Sequence, residues 1–122
     1  MSQSSTASRQ ITEEVGSWPG VEAGPGPRGE FGFRLGGREL GHLHGDSAAH
    51  FSFPKKLGQS LRDEGRVVDH PVFPGKPGFA ARRIEDDADI RDVIEMMRLN
   101  YDRIISRDGL PSVEAAESDG AP

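Results

Sequence analysis

The chain contains no cysteine, one tryptophan and one tyrosine among its 122 residues. Without thiols there is no disulfide framework, no thiolate nucleophile and no cysteine cage for a metal. Long apolar runs are missing as well. No stretch approaches the ~18 residues of a membrane span, and the N-terminus lacks the apolar segment of a signal peptide. The expectation is a cytoplasmic protein with no membrane partner. Large apolar side chains are few: Leu, Ile, Val and Phe supply 26 residues, only slightly above the level of roughly 20% at which disorder becomes the default.

Of those 26, only Leu110 and Val113 lie outside residues 11–105. One modest core can therefore form in the middle of the chain and none at its ends. The expected organisation is a disordered tail over 1–10, a single domain over 11–107 and a disordered acidic tail over 108–122. The formal net charge is -5, and the whole excess falls in the second half. A net acidic chain repels phosphate backbones unless its cations gather in one patch. Lys55, Lys56, Arg62, Arg66 and the pair Arg82–Arg83 are the candidates for one. Solvated surface is the simpler reading of these cations, so no nucleic-acid partner is expected. Nothing in the composition bears on the oligomeric state.

Ile11, Val15 and Trp18 recur at helical spacing, in a helix that Gly16, Ser17 and Pro19 should end. Residues 24–29 (GPGPRG) read as a loop that cannot pair in a sheet. Phe31, Phe33 and Leu35 then alternate with polar or small residues, and Gly36-Gly37 supplies a two-residue turn into a second strand over 38–44. In that hairpin Arg34 faces Glu39, Phe33 faces Leu40 and Phe31 faces His42. This register aims His42 and His44 inward beside the phenylalanines. A third strand is expected over 50–53, and a helix from Pro54 to about Glu64 with Gly65 at its end. Residues 69–78, with three prolines and two glycines, form an ordered loop, followed by a strand over 79–84. Asp86 or Asp87 caps the last helix, whose inward stripe is Ile90, Val93, Ile94, Met97, Tyr101, Ile104 and Ile105, with Met96 outside it. The fold class is α+β, a mainly antiparallel sheet with three helices on one face.

The histidines carry the chemistry. His42, His44 and His50 fall within nine residues with Asp46 among them, and two histidines at i and i+2 on a strand share one side. Three readings follow: hydrogen-bonded histidines at the core rim, neutral imidazoles poised for substrate binding or proton transfer, and a His-x-His metal site with Asp46 as a third ligand. His70 lies in the proline-rich loop, near Phe73, Lys76 and Phe79, which can wall a pocket and stack on a flat ligand. The glycines at 24, 26 and 29 do not stand between a strand and a helix, so a dinucleotide site is excluded.

The run SWPGVEAGPGPRGEFGFRLGGRELGHLHGD (17–46) and the later DHPVFPGKPGFAARRIEDDADIRDVIEMMRLNYDRI (69–104) resemble the luciferase-like domain, named for its presence in fungal luciferase. The second segment is more distantly similar to MmcQ/YjbR-like proteins. Fungal luciferases oxidise a hydroxylated pyrone with molecular oxygen, and the resemblance implies no metal or organic cofactor. By position it assigns His42, His44 and Asp46 to the family's GHLHGD motif, His70 to its loop histidine and Tyr101 to the tyrosine of its last helix. Pro71, Phe79 and Asn100 depart from the family's usual histidine, tryptophan and serine. The combined expectation is a small flat organic ligand and cofactor-free oxygenation, with His42, His44 or His70 as base and Asp46 orienting the imidazole. Phe73, Lys76, Phe79 and Tyr101 would line the ligand. A non-catalytic interaction or structural module is the alternative.

Overall fold

The computed structural model describes residues 6–109. Expectations for the flanking tails over 1–5 and 110–122 fall outside the described residues. The order of elements is α1 (Ala7–Gly16), β1 (Val21–Pro25), β2 (Phe31–Leu35), β3 (Arg38–His44), β4 (Ala48–Ser52), α2 (Lys55–Asp63), β5 (Val68–Asp69), β6 (Phe79–Arg83) and α3 (Asp87–Asp108). All strand pairs are antiparallel, in one sheet ordered β1-β2-β3-β4-β6-β5. The class is α+β, as the alternation of strand and helix periods requires.

Three elements differ from expectation, the smallest being β5, where Val68 pairs with Ala81 and Asp69, expected in the loop, pairs with Ala80. The GPGPRG segment does pair: Gly24 stands opposite Gly32 and Pro25 opposite Phe31. β1 is one of the two edge strands, and an edge is where a proline without an N–H does least harm to a ladder. The first helix starts at Ala7, well inside the stretch expected to be disordered. Thr6 accepts a hydrogen bond from the Arg9 amide, and the Ser8 amide donates to Asp46 at 2.8 Å. That second cap comes from 38 residues away and has no local sequence signal.

The core lies between the sheet and the helices. Ile11 and Val15 of α1, Phe33, Leu40, Leu43 and Phe51 of the sheet, Leu61 of α2 and Val93, Met97, Tyr101 and Ile104 of α3 are all buried in one cluster. Met96, expected outside the inward stripe, is fully buried too, as is Asn100. α3 begins at Asp86 with a capping box in which Asp86 and Asp89 satisfy each other's backbone amides. It is tied to β6 by Arg82, which binds Asp89 and Asp92, and to the connection between α2 and β5 by Arg66, which binds Asp92 and Glu95. Arg62 pairs with Asp69. Three of the cations considered for a surface patch therefore hold the molecule's own carboxylates.

The Gly36-Gly37 reversal has both residues at positive φ, 60° and 86°, the conformation a tight hairpin turn needs. Arg34 pairs with Glu39 as expected. Beyond that pair the register corrects the expectation: Phe33 faces Gly41, Gly32 faces His42 and Phe31 faces Leu43, with a β-bulge at Phe33/Arg34. Leu40 is the extra residue on β3.

Candidate functional site

The bulge decides which way the histidines point. In an unbroken ladder His42 would sit opposite Phe31, among core side chains. One extra residue reverses the parity of everything after it. Gly41 now turns toward the helices, where a Cβ would lie 2.9 Å from the Met97 side chain and 3.0 Å from the Phe51 ring. The Leu40 carbonyl, displaced from the ladder, accepts a hydrogen bond from Asn100 Nδ2 at 3.0 Å. Asn100 also donates to the Ser52 carbonyl, while its Oδ1 accepts from Arg103. Helix α3 thus holds the bulge in place. His42 and His44 leave on the opposite side of the sheet from the core, and the expectation that they extend the phenylalanine face is wrong.

That second face is where all four histidines meet. His50 on β4 stands directly opposite His42. Ring centroids are 5.0 Å apart for His42 and His44, 5.3 Å for His42 and His50, and 4.2 Å for His44 and His50. His70, from the loop after β5, lies 4.3 Å from His50. The same loop brings Phe73 within 4.6 Å of Phe79 and 5.2 Å of His70. Together these residues wall a cavity of about 340 Å³, completed by Arg28, Glu30, Glu39, Phe51, Ser52 and Val72. It has the size and the mix of aromatic and polar walls of a small-ligand pocket.

The imidazoles carry different proton patterns. His42 Nδ1 is 2.6 Å from Glu39 Oε2. An ionised carboxylate only accepts, so this nitrogen bears the hydrogen and Nε2 keeps a lone pair when the ring is neutral. His70 is the reverse: its Nδ1 accepts from the Val72 amide at 3.0 Å, which leaves Nε2–H as a donor. His50 is buried, its Nδ1 has no hydrogen-bond partner, and its pKa falls to about 4. Burial is the first cause, and repulsion from His44, His70 and His42 adds to it. Burial, with repulsion from His42 and His44, also lowers His70. At neutral pH both rings are uncharged.

A model of the Luciferase domain matches residues 37–100, just over half of the chain. The chain belongs to the Luciferase domain family. The match runs from the hairpin turn into α3, so it contains Glu39, all four histidines and Asn100. No curated protein and no solved structure matches the chain.

Of the residues singled out from the sequence of this Luciferase-domain protein, His42, His44, His70, Phe73 and Phe79 come together around the cavity. Three do not. Asp46 caps α1 through Ser8, whose hydrogen bonds hold its carboxyl below the usual range, and Glu39 orients the imidazole instead. Lys76 lines a neighbouring cleft with Lys55, Pro74 and Pro77. Tyr101 is buried in the core, donating to the Pro19 carbonyl at 2.6 Å and packing on Trp18. Glu39 is the residue that sequence reasoning misses, and His50 is in the histidine cluster read from the sequence but has no site role assigned there. The hairpin register sets Glu39 across from Arg34, but its carboxylate binds His42, and no Arg34–Glu39 ion pair forms among the described residues. Its position three residues before His42 becomes informative only once the bulge is known.

Proposed function

We propose that the cavity binds a small, flat, hydroxylated aromatic or enolic molecule and removes the proton from its hydroxyl. The observation that carries this reading is the paired polarity of two histidines on one pocket wall. His42, held by Glu39, offers a basic Nε2, and His70, held by the Val72 amide, offers an Nε2–H. An acidic hydroxyl would give its proton to His42, and the oxyanion or a conjugated carbonyl would accept from His70. Phe73 and Phe79 supply the faces on which a planar ring stacks. Deprotonation makes an enol electron-rich and reactive toward oxygen, so cofactor-free oxygenation is the reaction class that family membership favours for the metal-free protein.

The probe is 7-hydroxycoumarin, a flat phenol whose ionisation is visible in its absorption. Its addition at neutral pH should produce the phenolate band on binding, and 7-methoxycoumarin should bind at least ~10-fold more weakly. His42→Ala should abolish the band, and Phe73→Ala should weaken binding by ~10-fold or more, with unchanged circular dichroism. Equal binding of both coumarins by wild type and variants, or none at about 1 mM, favours the rival reading of a non-catalytic interaction module.

A further inference from the structure

His42, His44 and His50 each offer a ring nitrogen, and the three nitrogens lie within 4.8 Å of one another. Three nitrogens around a tetrahedral zinc ion with bonds of about 2.0–2.1 Å are themselves about 3.3 Å apart, so small χ rotations close the set. Three imidazoles so close repel one another as cations, and the one carboxylate beside them, Glu39, reaches only His42. A shared ion resolves that. The buried, unpartnered Nδ1 of His50 is a second and independent sign, because a polar atom withdrawn from water normally has a partner. A third sign is Glu39. A carboxylate bound to the non-ligating Nδ1 of a histidine fixes the ring with Nε2 aimed at a metal, the arrangement found behind most histidine ligands.

We infer that His42, His44 and His50 form a binding site for a divalent transition metal such as Zn²⁺ or Co²⁺, with Glu39 as the carboxylate behind His42 and an open coordination position facing the cavity. His70 is not a ligand, since its Nδ1 is taken by the Val72 amide. Three imidazole nitrogens favour zinc, cobalt, nickel or copper over magnesium and calcium. Glu39 and Glu30 at the cavity wall offset the charge of the ion. The proposal rests on the same cavity as the function above and changes its chemistry: once His42 Nε2 is a ligand it is no longer a base. Metal-loaded and metal-free protein therefore treat a phenol differently.

The test is titration of the chelator-stripped full chain with Co²⁺ and with Zn²⁺. One Co²⁺ per chain should bind, with the visible absorption of a four- or five-coordinate nitrogen site, and Zn²⁺ should displace it. His44→Ala and His50→Ala should each lower affinity by ~100-fold or more, Glu39→Gln should lower it by ~10–100-fold, and His70→Ala should cost far less than either ligand variant. His44 is exposed, so its variant folds even if the His50 variant does not. No binding at about 100 μM metal, or binding indifferent to His44→Ala, overturns the site. Coumarin binding by the stripped protein is measured in parallel. Its persistence when metal fails to bind removes the metal site alone, and its failure while metal binds removes the pocket reading alone.

Discussion

Glu39 and His42 stand three residues apart on one strand, yet Glu39 Oε2 lies 2.6 Å from His42 Nδ1. In a regular strand residues at an odd separation point to opposite faces. Leu40, the extra residue of the bulge, puts both on the cavity side. The site is therefore as sound as the bulge, and the bulge is as sound as its anchor on α3.

That anchor is Asn100, fully buried, with its amide shared between the Leu40 and Ser52 carbonyls. Asn100→Ala deprives two backbone acceptors of their donor and opens a void against the sheet. A loss of about 2–3 kcal/mol is expected, read as a fall of roughly 10–15 °C in melting temperature for a domain of this size. Amide exchange across β3 should accelerate in the same variant. A change within the scatter of surface substitutions would mean that the bulge holds itself.

The loop that carries His70 and Phe73 packs on α2 at its far end. Gly58 packs against the loop so closely that a Cβ would overlap the Pro77 carbonyl oxygen. The obstacle is backbone and cannot rotate away. Gly58→Ala should therefore destabilise the fold by about 2 kcal/mol or more, although alanine is the better helix former by ~1 kcal/mol. Chemical denaturation measures the difference, and a stabilised variant would show that the loop stands off the helix.

Much of this architecture was legible in the sequence. Apolar periodicity located α3, the diglycine turn located the hairpin, and two histidines at i and i+2 placed their rings on one side. Most of what was not legible was set by a partner distant in the chain. The bulge is invisible locally because Leu40-Gly41 continues an acceptable alternation. It becomes favourable only because Met97 and Phe51 occupy the space beside Gly41 and Asn100 reaches the Leu40 carbonyl. One residue of slip sends the histidines to the other face. β1 was hidden by Gly24 and Pro25, which an edge tolerates and an inner strand does not. Asp46 had the composition of a site residue, but its work is to cap a helix that starts before any periodic signal.

Stability should fall on mild acidification. His50 has a folded pKa of about 4 against an ordinary value of 6.5. Between those values the unfolded chain takes up a proton that the folded protein refuses, so unfolding becomes easier as pH drops. The contribution is fully present above pH ~6.5 and is lost as pH falls toward about 4. His70, shifted in the same direction by burial, adds to the slope. Denaturation midpoints measured from pH 7.5 to 4.5 should decline, and His50→Gln should flatten the curve. Equal slopes in both proteins would place the His50 ring in water.

His42 and His70 share one cavity with opposite proton polarity, and imidazole nitrogen NMR on the ¹⁵N-labelled, metal-free protein reads this directly. At neutral pH, His42 should carry its proton on Nδ1 against Glu39, His70 should carry its proton on Nε2, and His50 should remain neutral down to about pH 5. His42 protonated on Nε2, or His50 titrating near the ordinary value of 6.5, would contradict it.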